Sequence, residues 1–292
     1  MSYDETISTL EKVNKSLTEL INTVAEIRQL VGPFAVPLGP NELLVQTIHS
    51  LKYVIPTNDL VMTPQLVVYR QWEPDLSALL PQLSPPGSVF VDVGANFGYF
   101  SCLVAARMAG HPSSKVIAIE PNPELVRLLE MNVKINWSMS PVQIESVAVG
   151  ECNSEMQLTV PGGRFANGTL TALPATVASG NKSYPVSVVT LDEILEKEPV
   201  VNLLKVDVEG HEMAVFRGAK DTLCKRNASL VFEWSLPQTH EAGYDPNEIV
   251  DFLHMCGYKI YNITEHGGFD RNIPLSRKEI TQINYANFVC LK

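Results

Sequence analysis

The chain has 292 residues, of which 45% are hydrophobic and 18% charged, so it is long enough for one large domain with a substantial core and a small extension. Its formal net charge of -10 repels phosphate backbones, and no run of Lys and Arg forms a local basic patch. We therefore expect no nucleic-acid substrate.

The cysteines and the apolar runs indicate the cellular context. The five cysteines are scattered and show no Cys-x-x-Cys spacing, which favours reduced thiols over a zinc site or a redox pair. No apolar run approaches the roughly 20 residues of a membrane span, and the polar N-terminus lacks the positive charges of a signal peptide. We expect a cytoplasmic protein without a membrane span.

Residues 1–31 predict one helix with a narrow apolar stripe, which Gly32 and Pro33 end. The stripe alternates steps of three and four residues: Leu10, Val13, Leu17, Leu20, Val24, Ile27 and Val31. This spacing fits a short coiled coil that pairs protomers into a homo-oligomer, and it fits equally an amphipathic helix packed on its own domain. The two alternatives stay open at this point.

The prolines of residues 32–87 predict a helical or irregular linker and cap ahead of the main domain at 88–292. In that domain, apolar strand patterns alternate with helical patterns, which predicts a doubly wound α/β fold: a mostly parallel sheet covered on both faces, with an antiparallel pair at one edge. The predicted strands are 88–93, 115–120, one within 142–149, 201–208, 229–234, 258–262 and 286–291, and the predicted helices include 124–136, 191–198, 211–223 and 245–256.

Residues 161–185 interrupt this alternation with small and polar residues. They predict a loop or hairpin insertion. A lid over a binding site and plain surface decoration are equally good interpretations of such a segment.

The first strand-to-helix turn is the place where an open parallel sheet binds its ligand. Here it runs from Asp92 to Gly98, with Gly94 permitting a tight turn and Gly98 close packing at the start of the helix. The spacing is not Gly-x-Gly-x-x-Gly, and the acidic Asp92 would repel a pyrophosphate. The turn therefore favours S-adenosylmethionine, which carries a sulfonium and no phosphate, over a dinucleotide.

Glu120 ends the second strand, and Pro121 and Asn122 then turn the chain away from the sheet. A carboxylate at this position can accept hydrogen bonds from both hydroxyls of a ribose. The combination of Glu120 with the glycine turn is more specific than either feature alone.

Asp207 and Glu209 follow a buried strand, and side chains two residues apart point to the same face of a strand. His211 comes next, where Gly210 turns the chain into a helix. Three titratable groups at one strand end indicate a functional site, although an acid that caps the helix would account for Glu209 alone. Glu233 ends the next strand and is a second candidate ligand, with Asp207, for a divalent metal. A metal is possible but not expected.

Three motifs with their order and spacing resemble those of FkbM-type methyltransferases: 91–98 (Val-Asp-Val-Gly-Ala-Asn-Phe-Gly), 118–121 (Ala-Ile-Glu-Pro) and 204–212 (Leu-Lys-Val-Asp-Val-Glu-Gly-His-Glu). The resemblance extends over roughly residues 72–236 and includes the Trp-Glu-Pro run at 72–74. It implies the Rossmann-like, seven-stranded class I methyltransferase fold. It also implies O-methylation of a hydroxyl on a sugar, glycan or polyketide-type small molecule, with S-adenosylmethionine as the methyl donor.

Carried over by position, the family's pattern assigns roles to individual residues. Asp92, Gly94, Asn96 and Gly98 would hold the methionine part, Glu120 the ribose, and Val147 with Ala148 the adenine edge, while Asp207 would face the sulfonium. The predicted cofactor residues are Glu73, Asp92, Gly94, Ala95, Asn96, Gly98, Tyr99, Glu120, Pro121, Asn122, Val147, Ala148 and Asp207. The predicted base is His211, with Asp207 or Glu209 orienting it or serving instead.

Three rival functions remain at this point. A nicotinamide-dependent oxidoreductase lacks support because the third glycine is missing. A non-catalytic interaction module would have no reason to keep costly acids at its strand ends. Methylation of protein or RNA requires the same cofactor, and for RNA the charge is unfavourable.

Overall fold

The computed structural model describes residues 3–30, 35–137, 141–162, 168–172 and 180–292. The first helix is α1, Tyr3–Leu30. Its described apolar stripe residues are exposed, from 41% for Val24 to 62% for Leu10. Val31, Gly32 and Pro33 lie outside the described residues. The exposure of the stripe disfavours a helix packed on its own domain.

The segment expected as a helical or irregular linker instead contains a sheet. Three antiparallel strands, β1 (Ala35–Pro37), β2 (Glu42–Gln46) and β3 (Lys52–Pro56), precede the helices α2 (Met62–Tyr69) and α3 (Pro74–Leu83). The expectation is wrong for β1 to β3. Pro37 and Pro56 are the last residues of β1 and β3, where a missing N–H is tolerated, and Tyr53, Val54 and Ile55 of β3 are buried.

The remaining elements follow the predicted alternation. The strands are β4 (Val89–Val93), β5 (Lys115–Ile119), β6 (Val142–Glu145), β7 (Ala148–Val149), β8 (Ser154–Val160), β9 (Thr169–Ala172), β10 (Lys182–Val189), β11 (Leu203–Val206), β12 (Ser229–Ser235), β13 (Lys259–Asn262) and β14 (Tyr285–Leu291). The helices are α4 (Tyr99–Arg107), α5 (Pro123–Ile135), α6 (Leu191–Ile194), α7 (Glu212–Gly218), α8 (Lys220–Lys225), α9 (Leu236–Glu241), α10 (Pro246–Met255) and α11 (Arg277–Ile280), with a 3₁₀ turn at Glu265–Gly267.

A seven-stranded sheet in the order β13-β14-β12-β11-β4-β5-β6 forms the centre of the fold. The doubly wound, mostly parallel class I methyltransferase architecture is thereby confirmed. The predicted antiparallel pair at one edge is formed by β13 and β14, and β14 also pairs antiparallel with β12. The chain order reverses between β4 and β11, so a ligand site is expected beyond the carboxyl ends of these two strands.

The two faces of this sheet contact different helices. On β4, Phe90 packs in the cluster with α3 and α4, while Val91 and Val93 pack in the cluster with α7 and α10. This alternation is the period of two that a strand buried on both faces requires. The sheet is therefore held rigidly on both sides, which fixes the positions of its strand ends.

A second sheet, in the order β7-β10-β8-β9, was not predicted as a sheet. β9 and the first four residues of β10 belong to the 161–185 insertion, whereas β8 precedes it and pairs antiparallel with both strands; residues 163–167 and 173–179 lie outside the described residues. The predicted helix 211–223 is divided into α7 and α8, which meet at Ala219.

The cysteine prediction needs one correction. Cys224 at the end of α8 and Cys256 after α10 form a disulfide, whereas Cys102, Cys152 and Cys290 are free. The two bonded cysteines are 32 residues apart in the chain. Only the tertiary packing of α8 against the end of α10 brings them together, so no local spacing could signal the bond.

Within the described residues, each helix is either too short or too polar to cross a membrane.

Candidate active site

A cavity of about 300 Å³ opens at the carboxyl end of the large sheet, across the point where the strand order reverses. Residues that follow β4, β5 and β11 line one part of it, and Glu233 of β12 and Tyr285 of β14 line the other. This is the position that the α/β topology predicts for a ligand.

Gly94 brings two neighbouring strands into close approach. A Cβ atom on Gly94 would lie 1.8 Å from the Asp207 carbonyl oxygen, and its φ of +79° is one that other residues rarely adopt. The N–H groups of Gly94 and Ala95 both donate to the Ile119 carbonyl, at 3.0 Å. The glycine thus lets the turn after β4 pack against the chain that follows β11.

Asp92 lies below the cavity rather than on its wall. It is fully buried, and its Oδ2 accepts a 2.6 Å hydrogen bond from Ser101 Oγ. Its Oδ1 lies 3.5 Å from Lys205 Nζ. Burial raises the pKa of Asp92, and the ammonium of Lys205 acts against this rise. Asp92 therefore positions Lys205 from beneath. Gly98 also lies away from the wall, where a Cβ would lie 2.3 Å from Leu129 Cδ1 of α5.

Glu120 lies on the cavity wall and is held there by the backbone. Its Oε2 accepts from the N–H of Asn96 and its Oε1 from the N–H of Asn122, both at 2.9 Å. Burial raises the pKa of Glu120 to about 7, although these two hydrogen bonds favour the ionised form. Each carboxylate oxygen accepts one hydrogen bond here and can accept a second, for example from a ligand hydroxyl.

An apolar compartment adjoins Glu120. The predicted adenine residues Val147 and Ala148 line it, together with Met62 of α2 and Leu158 and Leu170 of the second sheet. Gly168 and Leu170 are described residues of the 161–185 insertion that line the cavity, so part of the insertion lies at this compartment. A flat apolar ring system is the ligand part that such a wall fits.

Tyr99 ties the segment before α3 to the glycine turn. Its hydroxyl accepts from the Trp72 N–H at 3.1 Å and lies 3.0 Å from Ser77 Oγ. This fixes Glu73, the next residue, on the cavity wall. Burial first, and then the charge of Asp207, raise the pKa of Glu73 to about 7.

Lys205 is the buried cation of the site. It extends from the middle of β11 and contacts Asp207 Oδ2 at 3.1 Å as well as Asp92. Its side chain is only 3% exposed. Burial lowers the pKa of Lys205, but the charges of the surrounding carboxylates outweigh this effect and raise the pKa above its ordinary value. Lys205 was not predicted as a site residue, although a lysine within an otherwise apolar strand is a readable signal.

Glu233 and Tyr285 complete the far end of the cavity. The Tyr285 hydroxyl donates to Glu233 Oε1 at 2.8 Å. Burial, together with the charges of Asp207 and Glu209, raises the pKa of Glu233 to about 10. Glu233 was considered only as a metal ligand, and Tyr285 was missed because an exposed-looking residue at the start of a strand carries no local signal.

The predicted catalytic residues Asp207, Glu209 and His211 all line the cavity. Glu209 has a φ of +56° and accepts from Gln238 Nε2, so α9 helps to place it. The acid that caps the turn is Glu212, whose Oε1 accepts from the N–H groups of Val208 and Gly210 at 3.2 Å. Helix capping therefore does not account for Glu209. Burial lowers the pKa of His211, so its ring is neutral at pH 7.

Among the described residues, no group of three or more His, Cys, Asp and Glu side chains has the arrangement of a metal site. Asp207 and Glu233 line the same cavity, but Asp207 is bonded to Lys205, which already supplies a cation.

A comparison with protein families decides the identity. The model of the methyltransferase FkbM domain matches residues 92–260, more than half of the chain. The chain belongs to the FkbM methyltransferase family. It is an enzyme of a family of S-adenosylmethionine-dependent methyltransferases, and the match includes all three motifs apart from Val91, the first residue of the first motif.

Two curated relatives agree with this assignment. The hexuronic acid methyltransferase AglP of Haloferax volcanii is 30% identical over 185 residues, which cover 62% of this chain and 67% of the relative. Methyltransferase 1 of Beauveria bassiana is 31% identical over 154 residues, covering 47% of this chain but only 60% of the relative. The crystal structure of an FkbM methyltransferase from Methylobacillus flagellatus superposes with a TM-score of 0.44 at 15% identity, over 71% of this chain and 44% of that chain.

The residues of this FkbM methyltransferase fit the family's cofactor. Glu120 presents unshared acceptor positions, the apolar compartment lies on one side of it, and the turn at Gly94 lies on the other. Eleven of the thirteen predicted cofactor residues line the cavity, and the two that do not are Asp92 and Gly98.

Proposed function

We propose that this enzyme transfers the methyl group of S-adenosylmethionine to a hydroxyl oxygen of a small molecule such as a sugar, a glycan or a polyketide-type product. The observation that carries the proposal is the division of one cavity into two ends. One end combines Glu120 with an apolar compartment, and the other combines carboxylates with a neutral histidine. The hexuronic acid methyltransferase among the relatives makes a sugar acceptor a natural first choice.

The order of the strands orients the cofactor. Glu120 follows β5 and would bind the ribose, and Val147, Ala148 and Leu158 would contact the adenine. The methionine part would then extend over β4 towards β11, which brings Asp207 next to the transferred group. When bound, the cofactor supplies an electrophilic methyl on a sulfonium, and the sulfur keeps the electron pair as S-adenosylhomocysteine leaves.

Proton removal is the task left to the chain. The acceptor hydroxyl forms its new bond to carbon as its proton passes to a base, and a neutral imidazole accepts a proton at pH 7. We assign this role to His211, because burial lowers its pKa and thereby favours the unprotonated ring. Asp207, held by Lys205, and Glu209, held by Gln238, are placed to orient the acceptor or to accept the proton instead.

The surface charge bears on the choice of acceptor. The formal net charge of -10 opposes a polyanionic substrate such as RNA, although a protein acceptor would meet no such barrier. The carboxylates at the far end of the cavity instead suit a ligand rich in hydrogen-bond donors. A small polyhydroxylated acceptor meets both conditions.

Two measurements test the proposal. Calorimetric titration should show binding of S-adenosylmethionine and none of NAD. Purified protein should then transfer label from S-adenosylmethionine to a component of glycan or small-molecule extracts. His211→Ala and Asp207→Asn should each lower turnover by at least about 100-fold. Near-native turnover in both variants, with normal cofactor binding, would show that the catalytic residues lie elsewhere.

A further inference from the structure

The far end of the cavity contains more hydrogen-bond acceptors than donors. Glu73 Oε1 accepts from Asn287 Nδ2 at 3.1 Å, and Glu233 Oε1 accepts from Tyr285. The second oxygen of each carboxylate, Oε2, is buried and has no hydrogen-bond partner among the described residues. A buried acceptor without a partner costs free energy, which a ligand that donates to it would recover.

The nearby donors are already engaged by carboxylates. Lys205 contacts Asp92 and Asp207, Gln238 donates to Glu209, and Tyr285 donates to Glu233. Among the described lining residues, His211 and Trp72 also carry a ring N–H. A ligand that binds here must therefore bring its own donors, and a carboxylate or phosphate brings none.

The charge at the far end of the cavity also disfavours a carboxylate or a phosphate as the ligand. Among the described residues, Glu73, Asp207, Glu209 and Glu233 line the cavity here, and Lys205 is the one lysine on the wall. Burial and the neighbouring carboxylates raise the pKa of Glu233 to about 10, so this carboxyl holds a proton at pH 7. A cation that enters would take the place of such protons.

We propose that the far end of the cavity binds a protonated amine of the acceptor, next to the hydroxyl that is methylated, through Glu73 Oε2 and Glu233 Oε2. An ammonium group can donate three hydrogen bonds, and its positive charge complements the four carboxyl groups. This rests on the proposed function and narrows it to amino sugars and other amino alcohols. It sets this enzyme apart from the relative named for a hexuronic acid, whose acceptor carries an anion.

A binding experiment tests the site without knowledge of the acceptor. Sinefungin resembles S-adenosylhomocysteine but carries a primary ammonium on a carbon that replaces the sulfur, so it presents a cation where the methyl group would be. We expect calorimetry to show sinefungin binding about tenfold more tightly than S-adenosylhomocysteine. The double variant Glu73→Gln/Glu233→Gln should bring the two affinities together. The exposed control Glu196→Gln should keep the wild-type ratio.

The outcomes separate the two proposals. A wild-type ratio that survives in the double variant would overturn the amine site and leave the methyltransferase proposal intact, and so would equal affinities in the wild type. If neither ligand binds, the proposed function fails and the amine site fails with it.

A second experiment, on labelled extracts, identifies the class of the acceptor. Label from S-adenosylmethionine should appear in the cation-exchange-retained fraction of an extract, and label confined to the neutral or anion-exchange-retained fraction would contradict the proposal. Turnover that a chelator abolishes and Mg²⁺ restores would also contradict it, because the carboxylates would then hold a metal.

Discussion

At the scale of single residues, Gly94 and Gly110 form a matched pair. Both have a positive φ, +79° and +85°, but a Cβ would meet the Asp207 carbonyl at Gly94 and open space at Gly110. Alanine at Gly110 bears only the backbone strain, about 1 kcal/mol, whereas alanine at Gly94 must also displace the neighbouring strand end. We expect Gly94→Ala to lower the free energy of unfolding by about 2–5 kcal/mol, measured by denaturant titration. Equal losses in the two variants would show that the contact with Asp207 is unimportant.

The raised pKa of Glu233 predicts how the stability of the fold depends on pH. The folded chain keeps its proton up to a pKa of about 10, while the unfolded chain releases it near 4.5. Between these values folding takes up a proton, so the wild type loses stability as pH rises. Glu233→Gln removes this loss, so the variant should gain stability relative to the wild type as pH rises. Because the Glu233 side chain is partly exposed, the gain in unfolding free energy should be at most roughly 1 kcal/mol per pH unit.

Thermal unfolding from pH 5 to pH 9 measures this effect. The melting temperature of Glu233→Gln should equal that of the wild type at pH 5 and exceed it increasingly at higher pH, while the exposed control Glu196→Gln follows the wild type. A constant difference across the range would mean that Glu233 is ionised in the folded chain. The same variant should lose affinity for the acceptor, since a residue that destabilises the fold is retained for its function.

At the scale of secondary-structure elements, α5 attaches β3 to the main domain through two asparagines one helical turn apart. Buried Asn132 accepts from the Val54 N–H at 2.7 Å and donates to the carbonyls of Val54 and Phe97. Asn136 makes the equivalent pair of bonds to Lys52 in an exposed position. The β1–β3 sheet is thus connected to the turn after β4, because Phe97 belongs to that turn.

The two asparagines give a test with an internal control. Asn132→Ala leaves buried backbone groups without partners and should cost about 2–5 kcal/mol of unfolding free energy. At Asn136 water replaces the lost bonds, so Asn136→Ala should cost less than about 1 kcal/mol. Chemical denaturation of both variants measures the difference. If Asn132→Ala were as mild as its control, β3 would be a peripheral element.

These contacts show where prediction from sequence succeeds and where it ends. The strands and the glycine turn follow local sequence patterns. These patterns predict the class I fold, and they place Glu120 and Asp207 at its ligand site. The β1–β3 sheet, Tyr285 and the bonded pair Cys224–Cys256 depend on partners distant in sequence. Asp92 illustrates a third case: its strand-end position was predicted, but only the structure shows that its side chain is turned towards Lys205.

At the scale of the whole molecule, the exposed stripe of α1 remains to be covered. Six described apolar residues spaced by three and four lie on it, each at least 41% exposed: Leu10, Val13, Leu17, Leu20, Val24 and Ile27. Such spacing over three heptads matches the seam of a coiled coil, in which each knob inserts between residues of an identical helix. We infer that a second copy of this chain covers the stripe.

Sedimentation equilibrium tests this inference. The full chain should show a mass above that of the monomer that falls on dilution, and removal of residues 1–31 should leave a monomer. Leu17→Glu places a charge in the seam and should also give a monomer, whereas Lys15→Glu, on the opposite face of the helix, should not. Cofactor binding should be the same in all four proteins, because no residue of α1 lines the described cavity. A full chain of monomer mass at every concentration would exclude pairing through α1 and leave the stripe for a different partner.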